Sequence, residues 1–454
     1  MSRLLVVCVA GLSARLADGM PGGRLPLPGA ALRPSFPALT CPLQATASTG
    51  QLPASHGIIA NGLFAGRLRD DRIHLDLSSH AEARSRVSFW EQANPLVQSP
   101  RIWQALSSEL GKPVRTAMLF WQNSMPGFGP PDSRRSAADI VLTPKPEHSA
   151  DGRTLSRCFS EPGELAAGLE ERLGVFPLQH YWGPMAGLPS SEWIVRAAEQ
   201  MLQVHKPDLT LVYVPHMDYC QQQHGPDSTQ TDQALGQLAG LLESLCGLAG
   251  SEGVEVLLWG DYGIVPVRRA VFPNQALRAA GLLRCTDHPA GGLAVDWDDA
   301  PSFAMVDHQI AHVYCRDAAS VQQARELLEP LPGVASVIPR DELSGLGMDH
   351  PRSGDLLVLA EPDSWFGWWW AEPAELPPFA RTVEIHEKPG YDPLELFFEP
   401  SERRISWDPG RVRGSHGLVD APAAHGLLAC SVDPGVELTD TRSVAHAIRS
   451  IVMR

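Results

Sequence analysis

Three segments restrict the fold more than anything else in the chain: "RLLVVCVAG" (3–11), "LTLVYVPH" (209–216) and "VEVLLWGDYG" (254–263). Each is a nearly unbroken apolar run of strand length, rich in Val and Leu. A strand without alternation has to be buried on both faces, which is the condition of a parallel sheet covered by helices. The intervening segments have the matching helical period. "SSEWIVRAAEQMLQVHKPD" opens on serines and repeats apolar residues at Trp193, Ile194, Ala197, Ala198, Met201 and Leu202. "DQALGQLAGLLESLCGLAG" carries a stripe through Leu235, Leu238, Leu241, Leu242 and Leu245. Strand, helix and strand in that order predict an α/β fold, a mainly parallel central sheet between helical layers.

Two regions break the alternation. "QNSMPGFGPPDSRRSAADIVLTPKPEHSADGRT" (122–154) is rich in Pro, Gly and Ser and reads as the start of a cap, about 122–188. Residues from about 268 to 412 mix short strands, one αβ unit and "PDSWFGWWWAEP", and read as a second insertion in a single domain spanning 1–454. The tryptophans of that segment are expected to pack the insertion. With 44% hydrophobic residues the chain can bury a large core, and a formal charge of −15 argues against a general nucleic-acid binder. An anionic substrate would need local cations, and a bound metal is an economical source. Eight scattered cysteines without a CxxC pair read as reduced thiols of a cytoplasmic protein. The apolar start is short and reads as a first buried strand rather than a signal peptide. No run reaches the length of a membrane span.

Open α/β sheets bind ligands beyond the carboxyl ends of their strands. At those ends stand "HMDYCQQQHGPD" after the second apolar run and "DYG" after the third. His216, Asp218 and His224 are oxygen and imidazole groups suited to a divalent ion, though loop histidines are more often simply solvated. Asp261 is either a cap for the following turn or a ligand. In "MVDHQIAHVYC", Asp307, His308 and His312 read as a strand with His308 and His312 on one face. His416 lies in "GSHG", and His386 and Lys388 lie on a turn.

"FPALTCPLQATASTG" (36–50) places Thr40 before Cys41-Pro42 at the start of a short helix. Its hydroxyl is in the position of an N-cap. It is equally in the position of a nucleophile, where the helix dipole favours an alkoxide or a phosphate. "TCP" with "TGQLPASHGI", Asp218 and His224, "GDYG" and the late "GSHG", in that order, resemble the alkaline phosphatase superfamily, in particular its nucleotide pyrophosphatase/phosphodiesterase family.

That resemblance implies an alkaline-phosphatase-like three-layer α/β/α fold and hydrolysis of a phosphodiester or pyrophosphate through a phospho-threonine on Thr40. It also implies one or two divalent ions per chain, zinc or else manganese. Asp218, His224 and His416 match one metal site, with His224 six residues after Asp218 and Gln222 at the family's usual fourth place. Asp261 matches the second site, where Tyr262 stands for the family's histidine and Ala10 for its first-strand aspartate. Leu43 replaces the asparagine that usually follows Thr-x-Pro. His308, beside Asp307, is the candidate to rebuild the second site, Gln122 and Asn123 to replace the asparagine, and Lys388 to contact phosphate. "TCPLQ" lacks the arginine of the sulfatase context. The expected partner is a small phosphorylated substrate, without nucleic acid or membrane. The alternative is a catalytically impaired relative that binds a phosphorylated ligand or a partner without turnover.

Overall fold

The computed structural model describes residues 1–20, 25–65, 86–127, 134–148, 154–383, 385 and 387–454. Its strands are β1 (Arg3–Val9), β2 (Gly29–Leu32), β3 (Thr116–Leu119), β4 (Ile140–Pro144), β5 (Cys158–Glu161), β6 (Leu209–Val214), β7 (Val254–Gly260), β8 (Ser302–Asp307), β9 (Ile310–Cys315), β10 (Val334–Pro339), β11 (Leu356–Ala360) and β12 (Gly426–Cys430), with shorter two-stranded pieces between them. Eight strands form the central sheet in the order β2-β12-β7-β1-β6-β3-β4-β5. Its middle, from β7 to β4, is parallel, and the pairings β2-β12, β12-β7 and β4-β5 are antiparallel.

The three apolar runs are the three innermost strands β7, β1 and β6, and all but Arg3 of β1 and Glu255 of β7 are buried. Five helices position the rest: α1 (Thr40–Thr49), α2 (Leu188–Gln200), α3 (Asp218–His224), α4 (Thr229–Ser251) and α5 (Arg442–Val452). Helix α5 packs on α1, β1 and β7, while α2 and α4 pack on each other and on β6 and β7. The result is the expected layered α/β fold.

The region read as a cap gives β4 and β5 to the main sheet itself. The later insertion holds a four-stranded antiparallel sheet in the order β8-β9-β11-β10. Trp365, Trp368, Trp369 and Trp370 are buried there as packing residues. All eight cysteines are unpaired. Among the described residues no helix is long and apolar enough to cross a membrane.

Register fixes the functional edge. Val9 of β1 pairs with both Val214 of β6 and Gly260 of β7, so Ala10, Pro215 and Asp261 leave the sheet at one level. The turns and helix starts that succeed these three residues are therefore gathered beyond the carboxyl ends.

Candidate active site

A cavity of about 590 Å³ opens at that edge, and Thr40, Gln122, Asp218, Tyr262, His308 and His416 are among its lining residues. Thr40 is buried, at the first turn of α1. It is not the cap: Leu39 holds that position, without a side-chain bond. The orphan amide of Cys41 is bonded instead by Asn61 Oδ1 at 2.9 Å. A side chain 20 residues away thus satisfies the helix start and leaves the Thr40 hydroxyl for other work. Thr40 Oγ1 lies 3.1 Å from the Tyr262 hydroxyl, and that hydroxyl donates to Asp218 Oδ1 at 3.3 Å.

The network continues. Gln222 Nε2 donates to Asp218 Oδ2 at 3.0 Å, and the Tyr391 hydroxyl donates to Gln222 Oε1 at 2.7 Å. Burial pushes Asp218 up to about 7, with the bonds from Gln222 and Tyr262 opposing the rise. The rings are stacked: Tyr262 on His416 at 3.9 Å, His416 beside His308 at 3.8 Å, and His308 on Tyr391 at 3.7 Å. Burial lowers the affinity of both imidazoles for a proton, His308 and His416 alike. His416 Nδ1 donates to the Ala38 carbonyl at 2.7 Å, and His308 Nδ1 donates to Asp307 Oδ1 at 2.8 Å. The Nε2 atoms of both rings are buried without a hydrogen-bond partner.

Asp307 is held from the other side by the backbone and side-chain N–H groups of Asn61, at 2.7 and 3.2 Å. Burial raises it to about 7. Asn61 therefore ties the start of α1 to the turn that carries His308. That turn corrects the strand reading: His308 lies between β8 and β9 with φ 58°, a left-handed conformation uncommon for a residue with a side chain. His312 stays in β9, buried away from the cavity, where its Nδ1 accepts from Gly354 N–H at 3.2 Å.

Several residues singled out in the sequence are elsewhere. His224 is exposed at the end of α3 and lines neighbouring grooves, not this cavity, so its grouping with Asp218 and His416 is corrected. A seven-residue helix turns the sixth position after Asp218 away, whereas the fourth, Gln222, shares its face. His216 is buried against the Ala234 carbonyl at 3.0 Å. Asp261 is a turn cap: its Oδ1 accepts from Gly11 and Tyr262 N–H at 3.1 and 2.9 Å. Asn123 is committed behind the cavity wall, donating to the Glu91 carbonyl at 2.7 Å. Lys388 does not reach the cavity; it is buried between Asp392 and Glu395 at 2.8 and 2.7 Å. His386 lies outside the described residues.

Gln122 does face the cavity, with its own N–H bonded to Gln44 Oε1 at 2.8 Å. Gln222 and Tyr262 are visible in the sequence only as departures at family positions, and nothing in the sequence marks Tyr391 or Asn61.

The donor set decides whether a pair of divalent ions fits. Among the described residues no three His, Cys, Asp or Glu side chains converge as a metal site. His416 Nε2 is 3.8 Å from Asp218 Oδ1, but the third place belongs to the Gln222 amide, whose N–H faces the carboxylate. In the second position Asp261 is committed to backbone N–H groups, Tyr262 supplies a phenol, and Ala10 supplies nothing. The residues present do not fit two ions.

The sequence profile of the type I phosphodiesterase/nucleotide pyrophosphatase family matches residues 28–392. The chain belongs to this family. An uncharacterized pyrophosphatase/phosphodiesterase of Schizosaccharomyces pombe is 22% identical over 273 residues, which is 59% of this chain and 45% of that relative. The match thus spans less than half of the relative's length. Among solved structures, the phosphonoacetate hydrolase of Sinorhizobium meliloti with phosphonoformate is similar at a TM-score of 0.58 and 15% identity, covering 99% of this chain and 96% of the other. Murine ectonucleotide pyrophosphatase/phosphodiesterase 5, as an inactive threonine-to-alanine variant with AMP, is similar at 0.58 and 12%, covering 100% and 95%. At these identities the likeness is one of fold. It extends over the whole of this family member, including the second insertion.

Proposed function

We propose that this family member hydrolyses a small phosphoester, with Thr40 as the group that attacks phosphorus. The observation that carries the reading is the freed Thr40 hydroxyl, buried at a helix start, facing the cavity and bonded to Tyr262 instead of to its own helix. The ligands of two structural neighbours, AMP and phosphonoformate, support a small phosphorus-containing anion as the ligand.

The chemistry follows from the chain of bonds, with no step assigned to a cation. The bond from Thr40 Oγ1 to phosphorus forms as the bond to the leaving oxygen breaks. The threonine proton passes to the Tyr262 oxygen as the phenol proton passes to Asp218 Oδ1, along contacts of 3.1 and 3.3 Å. The leaving oxygen takes a proton from water. A second water then attacks phosphorus as the bond to Thr40 Oγ1 breaks; the proton it loses neutralises the hydroxide left by the first water, and the proton held on Asp218 returns to Thr40 by the reverse route. The start of α1 favours the anion, and Gln122 is the donor placed for a phosphoryl oxygen.

Thr40→Ala is expected to lower turnover of bis-p-nitrophenyl phosphate on the order of a thousandfold, with binding retained. A variant as active as the parent refutes the role of Thr40. A second reading, ligand binding without turnover, is favoured by the missing ion ligands. It predicts that AMP or the diester binds while no p-nitrophenol is released, with or without added zinc or manganese.

A further inference from the structure

We infer that the Thr40 centre operates without a divalent cation. This builds on the reading of Thr40 as the group facing phosphorus. A zinc ion activating that hydroxyl and held by Asp218 would need to lie about 2 Å from both oxygens. The Tyr262 oxygen already lies between them, within hydrogen-bond distance of each. It is not free to swing aside. The ring is fully buried and nearly parallel to His416, at 11° and 3.9 Å.

The second oxygen of Asp218 is committed as well, because Gln222 donates to it and is itself fixed by Tyr391. Thr40, Tyr262, Asp218, Gln222 and Tyr391 form one continuous chain in which each hydroxyl or amide has a partner. A buried polar network of that kind is stable when every member is satisfied. Opening it for a cation would break bonds on both oxygens of Asp218. With those oxygens taken, the unpartnered Nε2 atoms of His308 and His416 remain as two donors, one short of the three protein ligands of a catalytic zinc site, and Ala10, Gln222 and Tyr262 do not supply the third.

The test is calorimetry on the full chain after chelator treatment. Titration with zinc and with manganese is expected to show no stoichiometric binding. EDTA should leave the affinity for bis-p-nitrophenyl phosphate within about twofold. One or two ions bound per chain, or diester binding abolished by EDTA, overturns the cation-free centre. Diester binding without turnover would defeat the hydrolytic reading and leave this inference standing; zinc-dependent turnover that is lost in Thr40→Ala would do the reverse.

Discussion

At the scale of single residues, the site is a matter of which polar atoms are left over. Asn61 caps α1 from a distance, and this one bond releases Thr40. Tyr262 then receives it. Removing only that hydroxyl, in Tyr262→Phe, keeps the ring on His416 but leaves Asp218 short of a donor. Turnover is expected to fall about a hundredfold with KM little changed, as for loss of a proton-transfer group. Equilibrium unfolding in urea should show a loss of about 1–3 kcal/mol for the unsatisfied buried carboxylate. Equal kinetics in the variant would show that the phenol is a bystander.

His56, in the "SHGI" sequence, has a different role. Its Nε2–H donates to Thr46 Oγ1 at 3.0 Å while Nδ1 accepts from Ile58 N–H at 3.1 Å, an arrangement open only to the neutral ring. Burial, with Arg101, His350 and Arg352 nearby, lowers it to about 3. Because the folded value lies below the unfolded one, stability is complete above about pH 6.5 and is lost as pH falls toward about 3. His56→Gln should flatten that slope in urea midpoints measured between these limits; an unchanged slope would assign the acid sensitivity to other groups.

At the scale of elements, the strand ends leave no room for error. A Cβ on Gly260, the last residue of β7, would lie 1.8 Å from the Leu12 carbonyl oxygen in the turn after β1. Backbone faces backbone there, so neither side can yield as a flexible side chain would. Gly260→Ala is expected to destabilise the fold by more than about 3 kcal/mol, read from thermal or urea unfolding, as for overpacking with backbone displacement. The two ends of α3 show the opposite lesson. Asp218 and Gln222 are one helical turn apart and joined by a hydrogen bond beside the cavity, whereas His224, two residues on, faces solvent. Helical geometry, rather than residue chemistry, excluded the histidine.

At the scale of the whole molecule, the second insertion joins the site to the rest of the fold. It delivers His308 from the β8–β9 turn, and it delivers Tyr391 next to the buried group of Lys388, Asp392 and Glu395. Lys388 contributes to stability rather than to binding phosphate. Replacing it, as in Lys388→Met, leaves two carboxylates buried without their cation. A loss of about 3–5 kcal/mol is expected in urea unfolding. A neutral outcome would mean that the carboxylates reach solvent.

Apolar patterning was enough to dictate the layers. β1, β6 and β7 are apolar on both faces and could be nothing but inner strands, and their ends announced where a site would lie. The order of motifs likewise groups Thr40, Asp218 and His416, which line one cavity, with His224, which does not. Folding in three dimensions determined what those residues meet. Asn61, Tyr262, Gln222 and Tyr391 come from four separate stretches of chain, and hydrogen bonds between such stretches leave no periodic trace in sequence. The same is true of exclusions: Asp261, Asn123 and Lys388 carry suitable groups, but each had its bonding capacity taken up by neighbours that only the folded chain brings close.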